Sequence, residues 1–320
     1  MDDTHSEILV IGGGMAGLAC ASALREAGCG VRVLDKGRGP GGRMAARRAE
    51  IDGQEVGFDH GAQYFTARDE DFRATVAGWA GQGVVAPWPA AGDEAWIGTP
   101  GMNAPLRAMA QPLDMCWGVR AESFARENDG RWRVTTGDEA FTADNVLVAV
   151  PAEQAAALLE PAAPDLAAVA AGVHSQPCWA VMAGFDARLE IDSDTVQSNE
   201  GPVAWAARNS AKPARAGSET WVIHASPARS REIIDLSKDE AARVLLGDFV
   251  TQTGIAPVAP IHLAAHRWLY ARPEAAKGAH ARFDPGTGIG IAGDYLHSPR
   301  VEGAWLSGRA LAREVIAARR

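Results

Sequence analysis

The sequence predicts an α/β protein, α+β in part, in which a β-α-β unit and a β-meander form one domain and a mixed sheet forms a second. Three observations predict this fold. An apolar run leads through a glycine turn into a helix near residue 12, short strands joined by tight turns occupy residues 119–150, and helices and strands alternate from about 152 to 285. The 320 residues allow about two domains at roughly 150 residues each.

The β-α-β unit begins the chain. Glu7–Ile11 is a short apolar run, which is typical of a buried parallel strand. Met15–Ala27 is predicted to be a helix that ends at Gly28, and residues 31–34 form a second strand. A loop rich in glycine and arginine then runs from Lys36 to Arg48.

The remaining elements follow from alternation and length. The predicted meander strands cover 121–126, 131–136 and 140–142, and a buried strand covers 145–150. Beyond it we predict helices at 152–159, 165–171 and 239–251 and strands at 179–185, 203–207, 220–225 and 261–269. One more buried strand lies within 288–294. The last helix is predicted from about Pro299 to Ala318, with Ser298 as its N-cap.

The pattern G-x-G-x-x-G occurs three times, but only the copy that starts at Gly12 has a strand before it and a helix after it. The first glycine permits a tight turn, the second lets backbone N–H groups reach a pyrophosphate, and the third lets helix pack on strand. Asp35 ends the second strand about 20 residues further on, where a carboxylate accepts hydrogen bonds from a ribose. The predicted dinucleotide contacts of the turn are Gly12, Gly14, Met15, Ala16 and Gly17.

Two further segments favour FAD over NAD. An NAD dehydrogenase usually continues with more β-α-β units, whereas here a basic glycine-rich loop follows Asp35 and can fold back over the pyrophosphate. Arg43 would then neutralise a phosphate or lie over the flavin edge; a solvated loop is the alternative. Asp294 ends a late strand and can bind ribityl hydroxyls. The helix N-terminus after it, at Val301, Glu302 and Gly303, can face the pyrimidine side of the flavin.

Composition excludes several classes of function. The formal net charge of −9 disfavours nucleic acid and anionic membranes as partners. No apolar run is long enough for a transmembrane helix, and the acidic first residues do not resemble a secretory signal, so we expect a cytoplasmic protein. The four cysteines form no Cys-x-x-Cys pair, so no metal site is predicted. No cysteine lies after residue 285, so FAD is expected to be noncovalent, and no protein partner is predicted.

Four segments resemble bacterial renalase-like flavoproteins of the monoamine oxidase-like superfamily. They are Asp35–Met44 (DKGRGPGGRM), His60–Asp69 (HGAQYFTARD), Ala265–Pro273 (AHRWLYARP) and Arg300–Gly308 (RVEGAWLSG). The resemblance covers nearly the whole chain. It implies two domains, FAD, and oxidase activity on 2- or 6-dihydro-NAD(P) isomers, with O2 as acceptor and NAD(P)+ and hydrogen peroxide as products. The stretch between Trp88 and Trp96 is shorter than in many members.

The resemblance also implies roles for individual residues. FAD contacts are implied for Gly12, Gly14, Met15, Asp35, Lys36, Arg43, Gln63, Tyr64 and Asp294, and Val119 would hold the adenine through its backbone. Substrate contacts are implied for Arg68, Trp205, Arg208, Asn209, Trp221 and His224. We therefore assign residues 1–66, 96–150 and 286–320 to a Rossmann-like FAD-binding domain, and residues 67–95 and 151–285 to a substrate domain.

No side chain is predicted to act as an acid or base. Amine oxidases of the superfamily tend to use a lysine near the flavin, but Lys212 precedes a proline in a polar loop and Lys238 is flanked by acids. Two alternatives to the dihydronicotinamide oxidase stay open. One is an amine oxidase or desaturase acting on another small molecule, and the other is a flavin-binding protein without turnover.

Overall fold

The computed structural model describes residues 4–137, 139–215, 217–274 and 278–319. These residues form seventeen strands and eight α-helices, in the order β1 (His5–Ile11), α1 (Met15–Glu26), β2 (Val31–Asp35), β3 (Arg47–Ile51), β4 (Gln54–Phe58), α2 (Glu70–Gly81), β5 (Val85–Pro87), β6 (Trp96–Gly98), α3 (Ala104–Ala110), β7 (Asp114–Trp117), β8 (Ser123–Arg126), β9 (Trp132–Thr135), β10 (Ala140–Val148), α4 (Ala152–Leu159), α5 (Pro164–Ala171), β11 (Ser175–Phe185), β12 (Thr195–Gln197), β13 (Val203–Arg208), β14 (Glu219–Ala225), α6 (Pro227–Glu232), α7 (Lys238–Thr253), β15 (His262–Pro273), β16 (Arg282–Asp284), β17 (Ile289–Ile291) and α8 (Val301–Ala318).

The N-terminal β-α-β unit lies at the centre of an eight-stranded sheet. The main strand order is β16-β17-β10-β1-β2-β7, and β8 and β9 extend it from β10. The pairs that β1 makes with β10 and β2 are parallel, as are β10 with β17 and β2 with β7. The predicted Rossmann-like α/β fold with a β-meander is therefore confirmed. The meander ends in one continuous strand, β10, where we predicted two.

Helices cover both faces of this sheet because alternate residues of β1 point to opposite sides. Ile8 and Val10 pack with α1 and α8, whereas Leu9 and Ile11 pack with α4 and α5. The predicted domain boundaries stay a prediction. The packing of α4 and α5 on this sheet nevertheless differs from our placement of residues 152–171 in the substrate domain.

The second sheet has five antiparallel strands in the order β12-β13-β14-β11-β15. Strands β11, β13, β14 and β15 and helix α7 lie where the sequence predicted them, whereas β12 was not predicted. Helices α6 and α7 cover one face, where Trp179, Trp221 and Phe249 form part of the core. The opposite face packs against the β3–β4 hairpin through Phe58 and Met182. That opposite face also carries side chains of the candidate site described below.

Two glycines in α8 permit close packing of the chain on itself. A Cβ at Gly308 would lie 2.1 Å from the Ala16 carbonyl oxygen, so α8 contacts the backbone of α1 directly. A Cβ at Gly303 would lie 2.2 Å from the Ser298 carbonyl oxygen. The helix begins at Val301 with extended Arg300 as N-cap, so the predicted Ser298 cap and Pro299 start are wrong. None of the described helices is both long and apolar enough to cross a bilayer.

Candidate active site

The turn after β1 leaves open space in front of the α1 N-terminus. Gly12 has φ +111°, and a Cβ there would lie 2.5 Å from the Ala149 carbonyl oxygen. A Cβ at Gly17 would lie 1.8 Å from the Gly12 carbonyl oxygen, so helix and turn are in contact. A Cβ at Gly14 would meet nothing within 4 Å among the described atoms, and no side chain caps the helix there. The free N–H groups of the first turn therefore face a space that an anion can fill.

Asp35 holds the turn and the following loop together. Its Oδ2 accepts the N–H of Gly13 and its Oδ1 accepts the N–H of Gly37, both at 2.6 Å. Each carboxylate oxygen keeps a second lone pair, so ribose hydroxyls can still donate to it. The Val119 N–H donates to the Asp35 carbonyl at 3.0 Å, so the predicted backbone contact with adenine falls to the Val119 carbonyl.

The glycine-rich loop folds back over the turn, as we predicted. A Cβ at Gly42 would lie 3.5 Å from the Cα of Gly14. At the base of the loop, Lys36 donates to Gln154 Oε1 at 3.0 Å. Burial and the positive charge of Arg120 lower the pKa of Lys36, so these two cations lie close to each other. Cations of this kind can bind the oxygens of a phosphate.

Arg43 and Asp294 bind each other. The guanidinium donates from Nη1 to Oδ2 at 2.9 Å and from Nη2 to Oδ1 at 2.6 Å. Asp294 is buried and Arg43 is about one-third exposed. The two side chains that the sequence assigned separately to a phosphate or flavin edge and to the ribityl chain therefore meet in one site.

The Glu302 carboxylate does not face the cofactor space. Glu302 is buried, and its Oε1 accepts the N–H groups of Arg68 at 2.6 Å and of Asp69 at 2.7 Å. It ties the start of α8 to Asp69, the N-cap of α2. The Glu302 side chain is thus engaged within the chain, and the predicted contact of the flavin with the helix N-terminus at Val301, Glu302 and Gly303 stays a prediction. The N–H groups at the α8 N-terminus remain available.

A buried polar network lies beside the segment that contains Gln63 and Tyr64. Gln63 Nε2 donates to the carbonyls of Asp59 and Gly61, and Gln63 Oε1 accepts from Lys212 Nζ at 3.1 Å. Lys212 Nζ also donates to Asp59 Oδ2 at 3.2 Å, and Arg215 donates to the same oxygen at 2.5 Å. One carboxylate thus faces two cations, and all three side chains are buried.

Lys212 is the functional candidate that sequence reasoning missed. We predicted a polar loop, but the side chain is fully buried and its ammonium lies 5.1 Å from the centre of the Trp88 ring. Burial lowers the pKa of Lys212 to about 8, with Asp59 opposing that shift and Arg215 adding to it. Burial alone would raise the pKa of Asp59, but Lys212 and Arg215 outweigh it and lower that pKa.

Two aromatic rings lie next to this network, and we refer to Tyr64 and Trp205 together as the aromatic wall. Tyr64 and Trp205 have ring centroids 5.3 Å apart at an interplanar angle of 40°. His224 Nε2 lies 3.5 Å from Gln63 Nε2 and 3.3 Å from the His60 carbonyl oxygen. Burial is the main cause that lowers the pKa of both His60 and His224 to about 4, so both rings are neutral at pH 7. The buried Trp205 Nε1 and His60 Nδ1 have no hydrogen-bond partner among the described atoms.

Comparison with known proteins identifies the family. A sequence model described as NAD(P)-binding Rossmann-like domain matches residues 10–78, and one described as flavin containing amine oxidoreductase matches residues 90–316. The second match spans well over half of the chain. The chain belongs to the flavin containing amine oxidoreductase family. It is therefore an oxidoreductase whose cofactor is FAD.

Solved structures share the fold over nearly the whole chain. A protein assigned as a protoporphyrinogen oxidase from Exiguobacterium sp. 255-15 has a TM-score of 0.75 at 13% identity. Putrescine oxidase bound to putrescine has a TM-score of 0.70 at 15% sequence identity. Cyclohexylamine oxidase from Brevibacterium oxydans has a TM-score of 0.65 at 13% sequence identity. Each alignment covers 98% of this chain and 99% of the other. At these identities the likeness shows the fold alone.

The residues at the turn fit FAD. The space beside Gly14, the uncapped start of α1 and the loop that carries Lys36 together form a cradle for a pyrophosphate. The unpartnered Trp205 Nε1 is a buried donor that a carbonyl acceptor of a bound molecule would satisfy. Roles for Met15, Ala16, Gln63, Tyr64, Asp294 and Val301 in holding FAD remain predictions.

Three of the predicted substrate residues are misplaced for that role. Arg208 is fully buried: it donates to Glu219 at 2.9 Å and Asp194 at 2.5 Å and stacks on Trp221. Trp221 packs against Phe249 on the α7 side of the sheet. Asn209 is buried as well. It accepts the Asp59 N–H at 3.2 Å and donates to the Gly57 carbonyl at 2.7 Å, so it holds the backbone.

The predicted substrate contacts of Trp205, His224 and Arg68 stay predictions. Trp205 and His224 are cross-strand neighbours on the face that carries Gln63 and Tyr64. Arg68 is 59% exposed and its Nε lies 4.0 Å from Oε2 of Glu94, which belongs to the short 88–96 segment. Arg68 is thus an exposed cation beside the start of α8. The described residues contain no group of histidine, cysteine and carboxylate side chains that could hold a metal ion.

Proposed function

We propose that this FAD-dependent enzyme oxidises dihydronicotinamide dinucleotides reduced at the 2 or 6 position, giving NAD(P)+ and hydrogen peroxide with O2 as acceptor. The aromatic wall of Tyr64 and Trp205 carries the proposal, because a flat nicotinamide can lie against it. The unpartnered Trp205 Nε1 offers a donor for the carboxamide oxygen. The choice of isomers comes from the renalase-like segments.

Hydride transfer from a dihydropyridine requires no base, because loss of the hydride makes the ring aromatic and no proton leaves. The task of the protein is then to orient the ring and to exclude competing reactions. FAD, when bound, would supply the hydride acceptor of this reaction and the route for the electrons to O2. His60 and His224 are neutral at pH 7, so neither opposes the positive charge that develops on the pyridinium.

Arg68 would bind the diphosphate of the substrate. It is an exposed cation on an otherwise acidic chain, next to the α8 N-terminus. The one glycine fingerprint in a strand-to-helix context serves FAD, so side chains alone must hold a second dinucleotide. Affinity for the substrate should therefore be modest and sensitive to salt.

Amine oxidation is the second candidate, and the burial of Lys212 favours it. No suitable lysine was predicted from the sequence, but Lys212 lies at Gln63 and burial lowers its pKa to about 8. An aromatic wall also suits a cationic amine through cation–π attraction. The structural neighbours named as putrescine and cyclohexylamine oxidases act on amines.

Anaerobic stopped-flow reduction of the bound flavin separates these candidates. The panel is 2- and 6-dihydro-NAD(P), ordinary NADH and NADPH, putrescine and cyclohexylamine. We expect the 2- and 6-isomers to reduce the flavin much faster than any other compound. Equal or faster reduction by NADH would reject the isomer assignment, and faster reduction by an amine would establish the second candidate. No reduction by any compound would favour a flavin-binding protein without turnover.

Arg68→Ala tests the diphosphate contact. We expect the isomer concentration for half-maximal reduction to rise several-fold and its salt dependence to weaken, while FAD stays bound. Arg73→Ala, an exposed arginine of α2, is the matched control and should change neither quantity. Equal effects of both variants would reduce the role of Arg68 to general surface charge.

A further inference from the structure

A cavity lies between the β3–β4 hairpin and the five-stranded sheet. Its volume is about 250 Å³, and its lining includes Arg47, Phe58, Met182, His262 and Ala264. Phe58 and Met182 lie beneath the rest of this lining and are fully buried. The His262 ring stacks on Phe58 with centroids 5.4 Å apart and an interplanar angle of 28°.

Arg47 faces this cavity. It lies directly across from Phe58 in the β3–β4 ladder, and directly opposed residues share a face of the sheet. Arg48 and Glu50, which also line the cavity, alternate with it, and Arg48 pairs with Glu55 at 3.3 Å. The Arg47 guanidinium makes no hydrogen bond or ion pair with the described part of the chain. Arg47 is exposed to solvent, so its guanidinium beside the His262 ring is free to receive an anion.

We propose that this cavity binds a planar aromatic carboxylate. The ring of the ligand would stack on His262 beside Ala264, and the carboxylate would receive the two parallel N–H donors of Arg47. The volume lies just below the roughly 300–1,000 Å³ typical of sites for drug-sized ligands, which suits a molecule with one ring. Burial, and then Arg47, lower the pKa of His262, so the ring is neutral at pH 7 and keeps one N–H to donate.

Ligand-observed NMR with the FAD-loaded protein tests the proposal, with benzoate as probe. Benzamide keeps the ring without the charge, and inorganic phosphate keeps a charge without the ring. We expect benzoate to bind in the millimolar range, and both comparison compounds to bind at least fivefold more weakly. Binding of phosphate as tight as that of benzoate would overturn the aromatic part of the proposal.

Variants locate the site. Arg47→Gln should weaken benzoate binding roughly five- to tenfold. Ala264→Leu, which fills the cavity without changing a charge, should weaken it similarly. Arg73→Gln, at an exposed position of α2 outside this cavity, should leave it unchanged. The flavin absorption spectrum should not change on benzoate addition. Either an unchanged affinity in Arg47→Gln or a benzoate-induced flavin shift would overturn the proposal, since the latter would place benzoate at the flavin.

Discussion

Arg43 and Asp294, which lie far apart in the chain, form a two-point ion pair with N–O distances of 2.9 Å and 2.6 Å. The pair fastens the glycine-rich loop after β2 to the end of β17. Removing Arg43 would leave a buried carboxylate without its cation. The loop over the glycine turn and the Asp294 side of the site are therefore expected to depend on each other.

We predict that Arg43→Met raises the dissociation constant of FAD at least tenfold, since a charge-assisted hydrogen bond contributes roughly 1.5–3 kcal/mol. Asp294→Asn should act similarly, and the double variant should be less severe than the sum of the two. Fluorescence titration of apoprotein with FAD measures the constants. The exposed Arg48–Glu55 pair provides the control, and Arg48→Met should leave FAD binding unchanged. Full additivity of Arg43→Met and Asp294→Asn would mean that the pair is not coupled.

The Lys212 network predicts opposite pH shifts in two variants. If the rate of flavin reduction depends on Lys212, its pH profile should show an inflection near pH 8. Asp59 raises the pKa of Lys212 and Arg215 lowers it. Asp59→Asn should therefore move the inflection to lower pH, and Arg215→Met should move it to higher pH.

Stopped-flow reduction between pH 6 and 10 measures these profiles, and Lys212→Met is the control that should remove the inflection. A dihydronicotinamide suits this experiment because it does not ionise in that range, whereas an amine does. Shifts of the inflection in the same direction for both variants would assign it to another group.

Buried neutral histidines predict acid sensitivity. The pKa of His60 and of His224 is lowered from 6.5 to about 4, mainly by burial. Between these pH values the unfolded chain binds more protons than the folded one, so stability is fully present above about pH 6.5 and is lost as the pH falls toward 4. The expected slope is roughly 1.4 kcal/mol per pH unit for each histidine.

Urea unfolding at pH 7, 6, 5 and 4.5 checks this dependence. His224→Gln should reduce the number of protons taken up on unfolding by about one, which makes the free energy of unfolding less dependent on pH. His174→Gln, at an exposed position, should leave the pH dependence unchanged. A profile of His224→Gln parallel to that of the wild type would show that this histidine titrates normally.

Arg208 is predicted to matter for stability and not for substrate. Arg208→Met would leave the Glu219 carboxylate buried without its cation, and such losses cost roughly 3–5 kcal/mol of unfolding free energy. The folded variant should retain the wild-type substrate concentration for half-maximal flavin reduction. Arg188, which is 67% exposed and lies 3.7 Å from Asp194, is the control, and Arg188→Met should cost less than about 1 kcal/mol. A stable Arg208→Met variant with weakened substrate binding would restore the original assignment.

Strand parity explains the errors in the substrate assignment. Side chains alternate between the two faces of a strand, so Trp205 and Arg208, three positions apart, leave opposite faces. The same holds for Trp221 and His224. The family resemblance implied a substrate contact for all of these residues. The alternation of side chains along each strand would have assigned them to two different faces of the sheet.

Other features depend on long-range packing and therefore could not be predicted from the sequence. The glycine turn, Asp35 and the loop over the turn could be predicted because each depends on nearby residues with fixed backbone roles. The burial of Lys212 depends on Asp59 and Gln63, which lie about 150 residues away, and no local pattern encodes that contact. The β3–β4 hairpin and helices α2 and α3 also escaped prediction, since much of their apolar surface is set by the elements that cover them.

The contact between Gly308 and Ala16 has a consequence for the synthesis of the protein. The two residues lie about 290 positions apart, so a ribosome adding roughly 5–20 residues per second needs at least about 15 s between them. Until α8 has been synthesised, the apolar side of α1 lacks the helix that covers it, and Arg43 lacks its partner Asp294 for most of that interval. We therefore expect FAD to bind only after residues 294–308 have been added to the chain.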